Sequence, residues 1–215
     1  MKQALSIVPL ILISMHLFAQ TTSQSAAGVY YLRGVMETAS GFKLNTDGSF
    51  QFFYSYGALD RYGSGNWTNT DNTISFNSKS QHNSDFALTG SSKKEGNQLT
   101  LKIVEANKML LPHVYCRIQS GTQVQEGVAD SDGNLHFSPQ PVDTVTLLFE
   151  FCPEKETKIA ITAKNHNHFE FRFEPWLFEI FFKNFTLQLD KGELSGAHPM
   201  LEGKSYHYEK GGNDE

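Results

Sequence analysis

The sequence predicts an all-β protein, with a small antiparallel, hairpin-built N-terminal β unit followed by a C-terminal β-sandwich. Three observations predict it. Apolar residues alternate at period two along most of the chain. Helical periodicity is nearly absent. The short apolar runs are divided by Asp-Gly, Asn and Gly clusters, the residues that tight β-turns require.

The first element stands apart from the rest. Residues 1–19 read as a signal peptide: Lys2 supplies the positive start, Leu5 to Phe18 are mostly apolar, and small Ala19 precedes Gln20. The apolar stretch is short for a membrane span, so a secreted or periplasmic chain beginning near residue 20 is expected. The Phe-Ala-Gln ending resembles export signals of Gram-negative bacteria. No second long apolar run follows, so no transmembrane segment is expected in the mature chain. Residues 20–27 and the polar tail 211–215 are expected to fray.

The strands follow in order. Phe42 and Leu44 share one face, Asp47-Gly48 turns the chain, and Phe50, Phe52, Tyr54 and Tyr56 return on one face. Trp67, the turn Asn69-Thr70-Asp71-Asn72, then Ile74 and Phe76 repeat the plan. Leu99, Leu101 and Ile103 alternate next. After Asp130-Ser131-Asp132-Gly133, Leu135 and Phe137 alternate, then Val145, Leu147, Phe149 and Phe151, then Ile159 and Ile161, then Phe169, Phe171 and Phe173. Residues 176–185 are apolar on both faces and are expected to form a strand buried on both sides, with Pro175 at its start. Phe185, Leu187 and Leu189 close the series before Asp190-Lys191-Gly192. The alternation breaks near Glu105 to Pro112, which sets a boundary between an N-terminal unit at 26–104 and a C-terminal unit at 105–210.

Each half carries a resemblance. GVYYLRG (28–34) followed by SGFKLNTDGSFQFFYSYGALDRYGSGNW (40–67) resembles the opening of lipocalin-like domains. The unit has fewer strands than a lipocalin needs, so it is not expected to close a ligand-holding barrel. VYCRIQSGTQVQEGVADSDGNLHF (114–137) and VTLLFEF (145–151) resemble transthyretin-like or carboxypeptidase-regulatory-like β-sandwiches. That resemblance implies a non-enzymatic accessory or adhesion module and supplies no catalytic residue.

Composition narrows the function classes. The chain carries a net charge of −5, one unit more negative once Lys2 leaves, with no Lys/Arg cluster of the kind that nucleic acid demands. Cys116 and Cys152 are an even pair in an oxidising compartment, which admits one disulfide; two buried thiols account for them nearly as well. His166 and His168 stand at i and i+2, where a strand would point both rings at one metal, although a polar turn explains NHNH more simply. Asp130-x-Asp132-Gly133-Asn134 opens like a calcium loop, but its twelfth position is Pro141, so a plain Asp-Gly turn is expected.

The best ligand-binding candidates are Tyr54, Tyr56, Asp60, Arg61, Tyr62 and Trp67, where aromatic rings, hydrogen-bonding side chains and glycines cluster. No G-x-S-x-G, H-E-x-x-H or P-loop occurs, and a carboxylate pair such as Glu37 and Asp60 is not distinctive. The expected function is a non-catalytic exported binding module for a small molecule, carbohydrate or envelope protein, with no cofactor implied. The alternatives are a structural or adhesion component that assembles through strand edges, and a hydrolase with an unrecognised site.

Overall fold

The computed structural model describes residues 26–57, 59–79, 82–203 and 205–212. The expected signal peptide and residues 20–25 lie outside the described residues, as do 213–215. Among the described residues sixteen strands form in order: β1 (Gly28–Arg33), β2 (Thr38–Leu44), β3 (Ser49–Tyr56), β4 (Leu59–Thr70), β5 (Thr73–Asn77), β6 (Phe86–Ser92), β7 (Leu99–Val104), β8 (Val114–Ser120), β9 (Gln123–Val128), β10 (Asn134–Phe137), β11 (Thr144–Phe149), β12 (Glu156–Ala160), β13 (His168–Phe173), β14 (Phe185–Asp190), β15 (Glu193–Gly196) and β16 (Tyr206–Lys210). The all-β expectation holds, and among the described residues the one helical element is a short 3₁₀ turn over Lys108–His113.

The strands form a closed barrel in the order β1-β16-β15-β14-β5-β4-β3-β2, and two four-stranded sheets, β10-β7-β13-β6 and β12-β11-β8-β9. The two sheets share one core that includes Leu101, Ile103, Phe169 and Phe171 from the first and Val114, Ile118, Leu147 and Phe149 from the second. They therefore make the expected sandwich. Its place in the chain differs from the division expected at 104–105. Strand β7 pairs with β13 and β10, so it belongs to the sandwich. Strands β14, β15 and β16 belong to the barrel. The sandwich is an insertion between β5 and β14, and the barrel closes on strands that follow it.

Local chemistry explains the hairpins. Gly48 supplies a φ of 81° between β2 and β3, and Asp47 Oδ1 accepts the Ser49 N–H at 2.9 Å. Asp71 and Asn72 take φ of 49° and 64° between β4 and β5, the left-handed pair that a tight hairpin needs. At the Asp130 turn, Oδ1 accepts the N–H groups of Asp132 (2.9 Å) and Asn134 (2.8 Å), and the Lys108 ammonium reaches Asp132 Oδ1 at 3.1 Å. The turn hydrogen bonds thus use the carboxylate that a calcium loop would give to its ion.

The barrel interior is filled with rings. Phe42, Phe50, Phe52, Phe76 and Tyr208 are all essentially inaccessible. Phe182 enters among them, 5.2 Å from Phe50 and 5.4 Å from Phe52 between ring centroids. Gly63 makes room for it, because a Cβ there would come within 2.5 Å of the Phe182 ring. Each such buried ring contributes roughly 1.5–3 kcal/mol.

Phe182 belongs to the segment expected to be a strand buried on both sides. Instead, residues 175–178 form a turn and Glu179 makes a single parallel bridge to Tyr62. The reason is geometric. Strand β4 outruns β5, and the Tyr62 N–H to Phe178 O and Ile180 N–H to Tyr62 O bonds cap that free stretch.

Both expected fraying ends are partly tied. Ala26 is buried and its carbonyl accepts the Tyr30 hydroxyl at 2.7 Å, while the Gly211 N–H donates to Val29 O at 2.8 Å.

Candidate functional site

The outer face of the barrel carries one cross-strand row. Tyr31 on β1 lies opposite Gly41 on β2, Gly41 opposite Phe53 on β3, and Phe53 opposite Tyr62 on β4. Period-two alternation puts all four on the outside, while their neighbours Tyr30, Phe42, Phe52 and Arg61 point inward. Four strands about 4.8 Å apart make a row about 14 Å across. Gly41 is needed in its middle: a Cβ there would meet the Phe53 ring at 2.9 Å and Tyr30 O at 2.2 Å. The glycine lets the Phe53 ring lie over the sheet, edge-on to Tyr31 with centroids 6.1 Å apart.

Tyr31 and Tyr62 remain 43 % and 46 % exposed. A depression of about 500 Å³ opens along the row and its neighbours Val29, Lys43, Gln51 and Ser64. The Val29–Lys43–Gln51–Ser64 row runs in register beside the rings. At one end Glu209 on β16 pairs opposite Tyr31, and its carboxylate is held by Arg33 Nε at 2.8 Å. At the other end the Tyr62 hydroxyl donates to Pro175 O at 3.1 Å. Burial, then the charge of Glu179, raises the Tyr62 pKa above its ordinary value, so the phenol keeps its proton at neutral pH. The arrangement is a ring-lined strip with hydrogen-bonding groups along its side and end.

The six ligand candidates read from sequence do not form one groove. Tyr62 is in the row. Asp60 is exposed on the same outer face of β4. Tyr54 is buried in the barrel core, Tyr56 is exposed at the end of β3, and Trp67 is half-buried with its indole N–H donating to Asn45 O at 3.0 Å. Arg61 is inaccessible and serves a different purpose. Its Nε donates to Phe178 O (3.0 Å), its Nη1 to Phe151 O (3.3 Å) and its Nη2 to Glu154. Phe151 and Glu154 lie in the turn between β11 and β12, so Arg61 latches barrel to sandwich. Sequence reasoning missed Tyr31 and Phe53, although both alternate with core residues and were legible as outward positions.

A second cleft of about 170 Å³ sits beside this latch, lined by His82, Asp85, Glu154, Lys155, Glu156 and Glu179 among others. It gathers carboxylates, but most are already matched. Lys155 Nζ reaches Asp85 at 3.1 Å, Arg61 holds Glu154, and His82 lies 3.6 Å from Glu179 while stacking on Trp176 with centroids 3.9 Å apart. The Arg61–Glu154 pair joins barrel to sandwich, and the Lys155–Asp85 pair lies within the sandwich. Glu37, the other carboxylate weighed for glycoside hydrolysis, is exposed in the turn before β2 with a φ of 57°.

A Ser–His pair that the sequence did not suggest lies inside the barrel. His198 Nε2 is 3.0 Å from Ser40 Oγ. The Nδ1 atom accepts the N–H groups of Met200 (3.0 Å) and Leu201 (3.1 Å), so the ring proton sits on Nε2 and is donated to Ser40. The serine hydroxyl donates in turn to Phe53 O at 2.8 Å. A nucleophilic serine needs a histidine that accepts its proton; here the polarity runs the other way, and the pair is structural.

The remaining candidates are also placed. His166 Nδ1 contacts Ser91 Oγ at 2.9 Å and His168 Nε2 contacts Glu170 at 3.1 Å, so the two rings have separate partners. His166 precedes β13, which removes the shared face that their spacing implied. Among the described residues no group of three or more His, Cys, Asp or Glu side chains is placed to hold a metal ion. The buried residue of that stretch is Asn167, whose side chain accepts the Lys94 N–H at 2.7 Å and donates to Gln98 O at 3.1 Å, organising the β6–β7 connection. Cys116 and Cys152 are free and buried in the sandwich core, so the disulfide that their even number admitted is not formed. Among the described residues no helix is long and apolar enough to cross a membrane. No family model matches the chain, and no curated protein or solved structure matches it.

Proposed function

We propose that the protein is an exported, non-catalytic carbohydrate-binding module whose binding surface is the Tyr31–Gly41–Phe53–Tyr62 row. The observation that carries this reading is the register itself. Three aromatic residues and the glycine that makes room for one of them occupy consecutive strands of a rigid barrel. Exposed rings offer apolar faces to sugar C–H groups, and the Gln51, Ser64, Lys43 and Glu209 side chains beside them can bond hydroxyls. The barrel interior is filled by its own rings, which turns attention to the outer face. A signal-bearing chain would meet glycans in the envelope or outside the cell.

The test is glycan-array screening of the chain starting at residue 20, followed by calorimetry on the hits. Tyr31→Ala and Tyr62→Ala are each expected to weaken binding at least tenfold while leaving the melting temperature within a few degrees. Absence of any glycan binding at high protein concentration, or binding indifferent to both substitutions, rejects the reading.

One observation favours assembly as a second reading. Strand β9 is a six-residue sheet edge with neither Lys nor Pro, and it pairs with β8 without a register shift. Val124 and Val128 are 49 % and 48 % exposed along it. Edges of this kind accept added strands. Placing Lys at Val124 and at Val128 is expected to abolish any self-association seen by sedimentation; a monomer at all concentrations, with no crosslinked envelope partner, removes this reading.

A further inference from the structure

The connection from β15 to β16 is short of secondary structure yet not loose. Residues 197–203 fold over one end of the barrel, and three of their side chains point in. Met200 and Leu201 pack against the barrel core, and His198 is only 5 % exposed. The imidazole sits among Phe52, Tyr54, Tyr206 and Tyr208, with ring centroids 5.6–6.2 Å away. Its hydrogen bonds hold the segment in place: the Met200 and Leu201 N–H groups end on Nδ1, and Nε2 reaches across to Ser40 on β2.

We propose that residues 197–203 are an acid-released lid on the barrel and that His198 is its pin. The geometry allows one protonation state only. A proton on Nδ1 removes the lone pair that two backbone N–H groups share and sets three N–H donors against one another. It also places a cation in an aromatic enclosure. The groups that face the ring are Phe52 and Tyr54 from β3, Ser40 from β2, and Tyr206 and Tyr208 from β16, none of them an anion at neutral or acid pH. From β4 the register brings Arg61, a cation, opposite Tyr54. The lid's own Glu202 is exposed, and its backbone carbonyl accepts the Tyr206 hydroxyl at 2.6 Å.

A second observation points the same way. The Tyr208 hydroxyl is buried with no hydrogen-bond partner among the described residues, and its ring stacks on His198 with centroids 6.2 Å apart. Opening the lid lets water reach that hydroxyl. One proton taken from solvent by His198 therefore favours the open lid. Opening uncovers an aromatic barrel end with the Tyr208 hydroxyl, and leaves Ser40, whose hydroxyl donates to Phe53 O, without its His198 donor.

Burial lowers the His198 pKa to about 4 from an ordinary 6.5. The folded value is depressed, so the neutral ring favours closure fully above pH 6.5, and that preference is lost as pH falls toward 4. With an ordinary pKa in the open lid, the opening constant rises about 30-fold between pH 8 and pH 5. The experiment is amide hydrogen exchange of the wild-type protein by NMR from pH 8 to pH 4, corrected for intrinsic exchange, with the His198 ring titrated in parallel.

The expected result is that Met200 and Leu201 amides lose protection by that factor while Phe42 and Phe52 amides in β2 and β3 keep theirs. His198→Asn retains a side-chain acceptor and has no proton to gain, so it is expected to abolish the pH dependence. Lid amides that stay protected until the whole barrel unfolds overturn the proposal, and so does the same pH dependence in H198N. Should H198N not fold, the wild-type exchange and ring titration decide alone.

Discussion

The barrel and the sandwich solve the same problem in opposite ways. The sandwich is one continuous stretch, β6 to β13, whose two sheets bury aliphatic and phenylalanine side chains against each other and leave open edges. The barrel has no edges, but it is assembled from both ends of the chain. Its closing pairs, β1 with β16 and β5 with β14, join residues on either side of the whole insertion. Loop closure of that kind comes late, because distant pairings repay their entropy only once formed. The polar devices follow the same division. The barrel holds Arg61, Ser40 and His198, which tie its ends and its lid; the sandwich buries Thr157 and Asn167, which bond nearby backbone, and two thiols in its core.

The largest effect that sharpens this contrast is a cavity in each core. Phe182 is 2 % exposed and touches the rings of Phe42, Phe50, Phe52, Phe76 and Phe185; Phe171 is inaccessible in the sandwich. Phe182→Ala and Phe171→Ala are each expected to lose about 4 kcal/mol. Denaturant unfolding, followed by Trp67 fluorescence for the barrel and Trp176 for the junction, shows whether the losses stay in one unit. If F182A moves only the barrel transition, the sandwich folds without it. If both substitutions move one shared transition equally, the two units are a single cooperative body and the contrast fails.

The hairpins were legible because each is signed by adjacent residues: Asp47-Gly48, Asp71-Asn72, Asp130 to Gly133 and Lys191-Gly192 all fall where the chain turns. Barrel closure was not legible. Nothing near Phe76 announces that its partner is Phe185, and alternation in β14 looks the same whichever sheet it joins. In the sequence Arg61 stands out as a ligand candidate because it lies among aromatic residues and glycines. Its inward parity on β4, opposite Tyr54, was the clue that it would be buried. His198 left a weaker trace: Met200 and Leu201 are large apolar residues outside any strand, a sign that residues 197–203 pack.

A smaller effect is expected at the latch. Arg61→Met keeps the stem's volume but leaves Phe151 O without its side-chain donor and Phe178 O with the Tyr62 N–H alone, and frees Glu154, which is 49 % exposed and can be hydrated. A loss of about 2–3 kcal/mol follows. More informative is where it appears. If Arg61 couples the units, two unfolding transitions separate in R61M that coincide in the wild type. A simple weakening of the barrel alone, with the sandwich transition unmoved and no change in coupling, assigns Arg61 to barrel packing instead. Glu154→Gln is expected to cost less than R61M, since both carbonyl acceptors remain.

The smallest expected effect concerns the thiols and needs no substitution. Burial raises Cys116 to about 12 and Cys152 to about 11. At pH 8 roughly one Cys152 in a thousand and one Cys116 in ten thousand is then ionised, and the thiolate is the reactive form. Labelling of the native protein by a thiol reagent is therefore expected to be slow at both sites. Because both thiols lie in the sandwich core, labelling reports openings of that unit alone. Acid release of the barrel lid should leave those openings unchanged after correction for thiol ionisation. Fast native labelling, or an opening rate that rises with lid exchange, would mean that motion in the barrel reaches the sandwich through the Arg61 junction.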